Sequence, residues 1–340
     1  MNKQKFSIQD YIINVLNFMA QGLFSSLIIG LILKQVGDKT GLSLLSEFGK
    51  IAQLMMGPAI GAAVAYGVKA PVLSIFSSIV TGALGAQTLA LAASGAYIAK
   101  VGEPVGALVA ALIGAEAGKL IHNKTKLNII LVPAATIIAG GLTSTFVSPF
   151  MSSVMTSLGQ IINYATELQP IPMGVLVSTI MGMVLTLPIS SAALAISLKL
   201  DGLAAGAATV GCCAQMIGFA VASYRENKFG GLIAQGLGTS MLQVPNIVRN
   251  PLIWVPPTIA SAILGPIASA VLKMRNNAVG AGMGTSGLVG QFATVEVMGV
   301  KSLPLILLLH VIAPAILTLI VSELMRKKGW IKHGDMKLDL

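Results

Sequence analysis

Ten apolar runs, most of them about as long as the hydrocarbon core of a bilayer is thick, constrain this chain more than any other feature. They cover 11–33, 51–68, 71–98, 104–121, 128–147, 173–197, 202–222, 229–246, 251–272 and 303–323, with short polar loops between them. A helix needs about 20 mostly apolar residues to cross. In lipid the backbone must satisfy its own hydrogen bonds, which a helix does within one segment. Charge agrees: 10% of the residues are charged and 55% are hydrophobic, whereas soluble domains are about a quarter charged. The 37 Gly and 16 Met suit helices that meet through small residues and face lipid outward. The expected fold is therefore all-α, a polytopic transmembrane helical bundle of about ten spans.

Two stretches leave the count open at up to twelve. Residues 150–169 carry Ser, Thr, Gln and Asn along an apolar stripe, so they either lie along the interface or cross as a protein-facing helix. Residues 276–300 are too rich in Gly for a plain helix. Basic residues at Lys119, Lys124 and Lys126, and at Arg326, Lys327, Lys328 and Lys332, place those loops on the cytoplasmic side. Ten spans then leave Arg225, Lys228, Lys273 and Arg275 outside, and twelve bring them inside.

The net charge of +10 comes from basic residues set singly or in short clusters between apolar runs. No aromatics are interleaved for stacking, so nucleic acid is excluded as a partner. Cys212 and Cys213 are adjacent; they cannot form an ordinary disulfide with each other or supply a structural metal set, and they read as small core residues. The run 11–33 is too long for the core of a cleavable signal and should remain as the first span. Ser7 with Asp10 resembles a capping box ahead of it.

The chain also resembles itself. Residues 58–69 lie over 188–199, pairing Pro58 with Pro188 and Lys69 with Lys199, and 81–87 over 209–215 pairs Gln87 with Gln215. Further on, Gly106, Gly114 and Pro133 meet Gly230, Gly238 and Pro257. Shared membrane composition would produce some of these matches, but the paired Pro, Lys and Gln favour two internal repeats, roughly 11–147 and 148–272, followed by the Gly-rich segment 276–300 and a last span 303–323. In transporters built this way the substrate site lies near the midplane where the halves meet. The halves are inverted if 150–169 crosses and parallel if it does not.

No phosphate loop, zinc-protease helix or catalytic triad is present, and the three His are scattered, so neither a catalytic domain nor a cofactor or metal site is expected. Polar groups inside apolar runs are the functional candidates, because lipid penalises them unless they face protein or a wet cavity. Gln87 and Gln215 could bond substrate hydroxyls or join helices. Glu116 is either a coupling carboxylate or the ion-pair partner of Lys119. The segment 238–251, with Thr239, Ser240, Gln243, Asn246, Arg249 and Asn250 around Pro245, reads as a pocket or as an ordinary loop, since Pro frees helix carbonyls. Residues 280–291, GAGMGTSGLVGQ, suggest a re-entrant segment whose Gly residues, Gly284 among them, admit close backbone approach. Thr285, Ser286 and Gln291 would be its ligands and Glu296 its acidic partner. His310, central in the last run, is a packing group or a proton relay.

That Gly-rich segment, the Pro-Asn-Ile-Val-Arg-Asn stretch at 245–250 and the hydropathy of nearly the whole chain resemble the membrane-embedded IIC component of the sugar phosphotransferase system, in the compact branch that includes the PfoR-type regulator. The resemblance implies a homodimeric permease of the bacterial inner membrane. It would carry a sugar or similar hydrophilic molecule that a soluble IIB partner phosphorylates. The sequence contains no IIA or IIB domain and lacks the Gly-Ile-Thr-Glu-Pro motif of glucose-type relatives, so Glu296 is chosen by position alone. An ion-coupled carrier and a membrane sensor controlling gene expression are the competing expectations.

Overall fold

The computed structural model describes residues 8–91 and 95–338. Ser7, and with it the capping box, lies outside the described residues. The chain divides into two compact units, Met1–Ser153 and Val154–Leu340.

Unit 1 opens with α1, Ile8–Thr40, which ends where Gly41 turns left-handed at φ 76°. Helices α2 (Ser43–Leu54) and α3 (Met56–Gly67) follow, bent 54° from one another, and then α4 (Val72–Ala86), a hairpin of β1 (Leu89–Leu91) and β2 (Tyr97–Ala99), and α5 (Pro104–Ile121). The expected run 71–98 is thus not one span. Its helix stops because Gln87 adopts φ 56°, with Gln87 N–H donating to Leu84 O and Thr88 N–H to Ala83 O. The strands then pair antiparallel, Leu89 opposite Ala99. Small residues hold the helices together: a Cβ on Gly85 would overlap the Gly106 carbonyl, and one on Gly106 the Gly85 carbonyl.

Helix α6 is Asn128–Thr166. Its 39 residues are nearly twice the about 20 that one crossing needs. Residues 150–166 therefore prolong the preceding helix instead of forming a separate element.

Unit 2 is built around α9, Gly202–Ala222, whose most apolar window is 89% buried. Its Ala, Gly and Cys residues let neighbours approach from every side; the backbone of Gly211 lies against that of Ser178 so closely that a Cβ there would overlap it. Helix α12 (Pro251–Val271) runs antiparallel to α9, since Trp254 bonds Gln215, Ser261 bonds the Gly211 carbonyl and Met274 packs on Gly206. Helix α15 (Val300–Lys327) runs parallel to it, with Leu309 in one buried cluster with Val210, Thr318 against Gly218, and Arg326 donating to the Ala222 carbonyl.

The other helices of unit 2 are each shorter than 18 residues. Helix α7 (Pro170–Thr186) sets out parallel to α9 but stops at Leu187, which is extended (φ −71°, ψ 157°) ahead of Pro188. Ser190 caps α8 (Ser191–Ser197), which leads back to Gly202. The expected single run 173–197 is broken by that proline. The expected run 229–246 is broken too. Helix α10 (Tyr224–Ile233) starts beside Ala222, passes through a wide turn at Ala234–Gly238 and a tight one at Ser240–Gln243, and returns through α11 (Val244–Arg249). Segment 276–298, which holds α13 (Ala278–Ala281) and α14 (Val289–Met298), begins with Asn276 bonded to Gly202 and reaches Cys212 and Cys213 at Gly284. It returns until Met298 Sδ lies 3.1 Å from Arg275 N. It therefore enters and leaves at the Gly202 end of α9.

Among the described residues, six helices are long and apolar enough to cross, or seven with the bent pair counted as one. The remaining apolar runs are interrupted before reaching that length. Lys69 and Lys199, paired in the sequence alignment, close their helices alike, at φ 56° and 51° with the following residue bonded five back. Gln87 and Gln215 differ: the first ends a helix and the second lies inside one.

Candidate functional site

The three interrupted segments of unit 2 meet at one level of α9, from Cys212 to Met216. From the α7 tip, Thr186 Oγ1 donates to Gln215 Oε1 at 3.2 Å and lies 2.9 Å from Ser240 Oγ. From the Gly-rich segment, Thr285 Oγ1 donates to the Gly236 carbonyl at 2.5 Å and approaches Met216 Sδ at 3.5 Å. Ser191 Oγ, at the start of α8, donates to the Gly282 carbonyl at 2.6 Å. Each tip is thus tied to the other two, and together they form a ring of broken backbone against a continuous helix. Such backbone is tolerated at membrane depth only where protein encloses it or water reaches it.

The geometry of Gly284 shows why glycine stands there. Its φ is +53°, and a Cβ would lie 2.9 Å from the carbonyl carbon of Cys212. Both facts exclude a side chain. Gly284 therefore brings the loop onto α9, and Thr285 and Ser286 follow it inward, 1% and 3% exposed.

Hydrogen bonding divides the polar residues of the ring into two sets. Gln215 is engaged at both atoms of its amide: its Oε1 accepts from Trp254 Nε1 at 2.9 Å and from Thr186, and its Nε2 donates to Thr258 Oγ1 at 3.2 Å. The second set is not. Gln291 Nε2 lies 3.0 Å from His310 Nδ1 and 3.5 Å from Cys213 Sγ, while Gln291 Oε1, His310 Nε2 and Ser286 Oγ are buried with no protein partner. A buried polar atom left unmatched costs about 1–3 kcal/mol; three of the ten such atoms among the described residues belong to Ser286, Gln291 and His310, where water or a hydrogen-bonding guest would be stabilised. The polar side chains that tie the tips together are Thr, Ser, Gln and His, with no Lys, Arg, Asp or Glu among them. That chemistry suits an uncharged solute bearing hydroxyls.

Sequence reasoning named four residues that come together here, Thr285, Ser286, Gln291 and His310, and with them Gly284 and Gln215. Other candidates are placed differently. Glu296 is exposed on α14. Asn246 is buried, but its Nδ2 donates to Gln243 Oε1 and to the Lys337 carbonyl, both at 2.8 Å, and Arg249 donates to its Oδ1. Its groups are engaged with the C-terminal tail. In unit 1, Gln87 is exposed, its Oε1 accepting from Lys100 Nζ at 3.4 Å. Glu116 Oε1 accepts from Tyr11 at 2.6 Å and pairs with Lys119 at 2.8 Å, the ion-pair arrangement, and Lys119 also donates to the Val68 carbonyl. Thr186 and Ser191 were missed. Their signal was Pro188 within LTLPISS, an interruption of the same kind as Pro245 in the segment that was noticed.

The sequence profile of the family described as Phosphotransferase system, EIIC, matches residues 13–338. The chain belongs to that EIIC family. The match takes in every element of both units except the first residues of α1. With the apolar helices it makes the chain a multi-pass membrane protein of phosphotransferase-system transport. No curated protein and no solved structure matches this EIIC chain.

Proposed function

We propose that this EIIC chain is a permease that moves a sugar or similar hydrophilic small molecule across the bacterial inner membrane, with a separate IIB protein as phosphoryl donor. The observation that carries the reading is the set of unpartnered buried atoms, Ser286 Oγ, Gln291 Oε1 and His310 Nε2, beside the level where three segments break. Hydroxyls of a solute would complete these groups. Ser286 and Gln291 bind it, Thr285 holds the loop to the facing hairpin, and His310 orients the Gln291 amide through their 3.0 Å contact. Gln215, engaged through both its Oε1 and its Nε2, shapes the wall. Gln87 enters only through the internal repeat, whose support is the matched ends at Lys69 and Lys199. The reading does not need the exposed Glu296 or Asn246. Rocking of one half against the other would then alternate access, and a homodimer is the assembly proposed.

The test is uptake by the purified protein in proteoliposomes across a panel of sugars, with and without a phosphorylated IIB donor. Uptake that depends on the donor and is lost in Gln291→Ala, with insertion intact, is the expected result. Uptake driven by an ion gradient and indifferent to the donor would assign the chain to ion-coupled carriage instead.

A further inference from the structure

After α15 the chain folds back, and residues 328–338 lie along the base of the 224–250 hairpin. Side chains of the hairpin grip the backbone of this tail. Asn227 Nδ2 donates to the Met336 carbonyl and Asn227 Oδ1 accepts from Leu338 N–H, both at 2.8 Å. Gln243 Nε2 donates to the Met336 carbonyl at 3.0 Å and Asn246 Nδ2 to the Lys337 carbonyl at 2.8 Å. Glu226 Oε1 accepts from Gly334 N–H at 3.0 Å and from Arg326 at 3.2 Å. Asn250 Nδ2 donates to Asp335 Oδ2 at 2.8 Å. Two apolar side chains complete the attachment: Ile331 and Met336, 2% and 0% exposed, enter a cluster with Phe219, Ile247 and Ile253.

The grip continues inward. Gln243 Nε2 also donates to Gln235 Oε1 at 2.8 Å, and Gln235 Nε2 donates to Ser223 Oγ at 2.8 Å. Gln235 precedes Gly236, the residue whose carbonyl receives Thr285. Hydrogen bonds from the tail to Gln243 and Gln235, and the peptide link from Gln235 to Gly236, therefore join the tail to the ring. Most of the bonds holding the tail are made to its backbone amides and carbonyls, groups that water satisfies nearly as well, so the main cost of releasing it is exposure of Ile331 and Met336. The tail leaves α15 beside Arg326, Lys327 and Lys328, the residues that assign this end to the cytoplasm.

We propose that residues 328–338 are a releasable latch: docked, they hold the 224–250 hairpin and its tip against the Gly-rich segment, and they must leave before the hairpin can move in a transport cycle. The second clause rests on the permease reading; the first does not.

Replacing Asn250 and Asp335, whose side chains meet at 2.8 Å, by cysteine puts one thiol on the hairpin and one on the tail, and oxidation joins them once their Cβ atoms close to about 4 Å, which mass spectrometry of the oxidised chain verifies. In this double variant, oxidation should slow uptake about tenfold and reductant should restore it, as for a closed gate. Oxidised protein that transports at the reduced rate overturns the latch. Amide hydrogen exchange needs no solute and so separates failure of the latch from failure of the permease reading. In a chain ending at Lys328, residues 234–243 should exchange about tenfold faster, and in the double-cysteine chain oxidation should slow the same amides. Exchange at 234–243 that is indifferent to oxidation overturns the coupling, including where the shortened chain fails to fold.

Discussion

Ser286→Ala separates a residue kept for function from one kept for stability. Ser286 is 3% exposed and its Oγ has no protein partner, so the substitution breaks no hydrogen bond and removes a group whose unmatched burial costs about 1–3 kcal/mol. The methyl group of alanine leaves almost the same volume filled, so little cavity cost offsets the gain. The solute-free protein should therefore be unchanged or stabilised by about 1 kcal/mol, which raises the unfolding midpoint by roughly 2 °C in a chain of this size. Solute binding moves the other way. Losing one hydrogen bond to a neutral hydroxyl removes about 0.5–1.5 kcal/mol, or about a two- to twelvefold weaker Kd. Thermal unfolding in detergent and equilibrium binding of the transported sugar measure the two sides. A fall of several degrees with unaltered affinity would refute the argument, because it would mean that Ser286 supports the fold and faces no guest.

Gln291→Ala should abolish uptake and Glu296→Gln should leave it within about twofold, since only the first lies among the unmatched buried groups; equal losses in both would place the site further along α14. Glu116→Gln should lower the midpoint by no more than about 1 kcal/mol equivalent, because its pair with Lys119 is over a third exposed on the carboxylate side at 38%. Lost transport with normal folding in that variant would instead make Glu116 the coupling group. Gly211→Leu should yield no monodisperse protein on size-exclusion chromatography, as its side chain would enter the backbone of Ser178, an overpacking of at least about 3 kcal/mol.

The membrane class and much of the site were legible in the sequence because both depend on local composition. Long apolar runs mark helices, and five Gly within eleven residues mark backbone that cannot be a plain helix. Thr285, Ser286, Gln291 and His310 stood out as polar groups where lipid would not accept them. The remainder depends on contacts distant in sequence. Nothing near Asn246 shows that its amide bonds Lys337, 91 residues on. Run length alone could not tell a crossing from a segment that turns back, as 173–197 does at Pro188. Gln87 and Gln215 share a position in the alignment, yet one is itself the left-handed residue that ends a helix and the other sits within a helix, a difference their flanking residues do not display.

Helix α9 is enclosed on all sides, and α15, which packs along it, is the last long helix of the chain. During synthesis α9 must leave the insertion machinery with lipid where protein will later be. Its Ala and Gly residues make that interim tolerable without making it comfortable. The unit can reach its final packing only once α15 has been made, so a stop codon ahead of Val300 would leave one face of the central helix exposed to the bilayer and to membrane proteases.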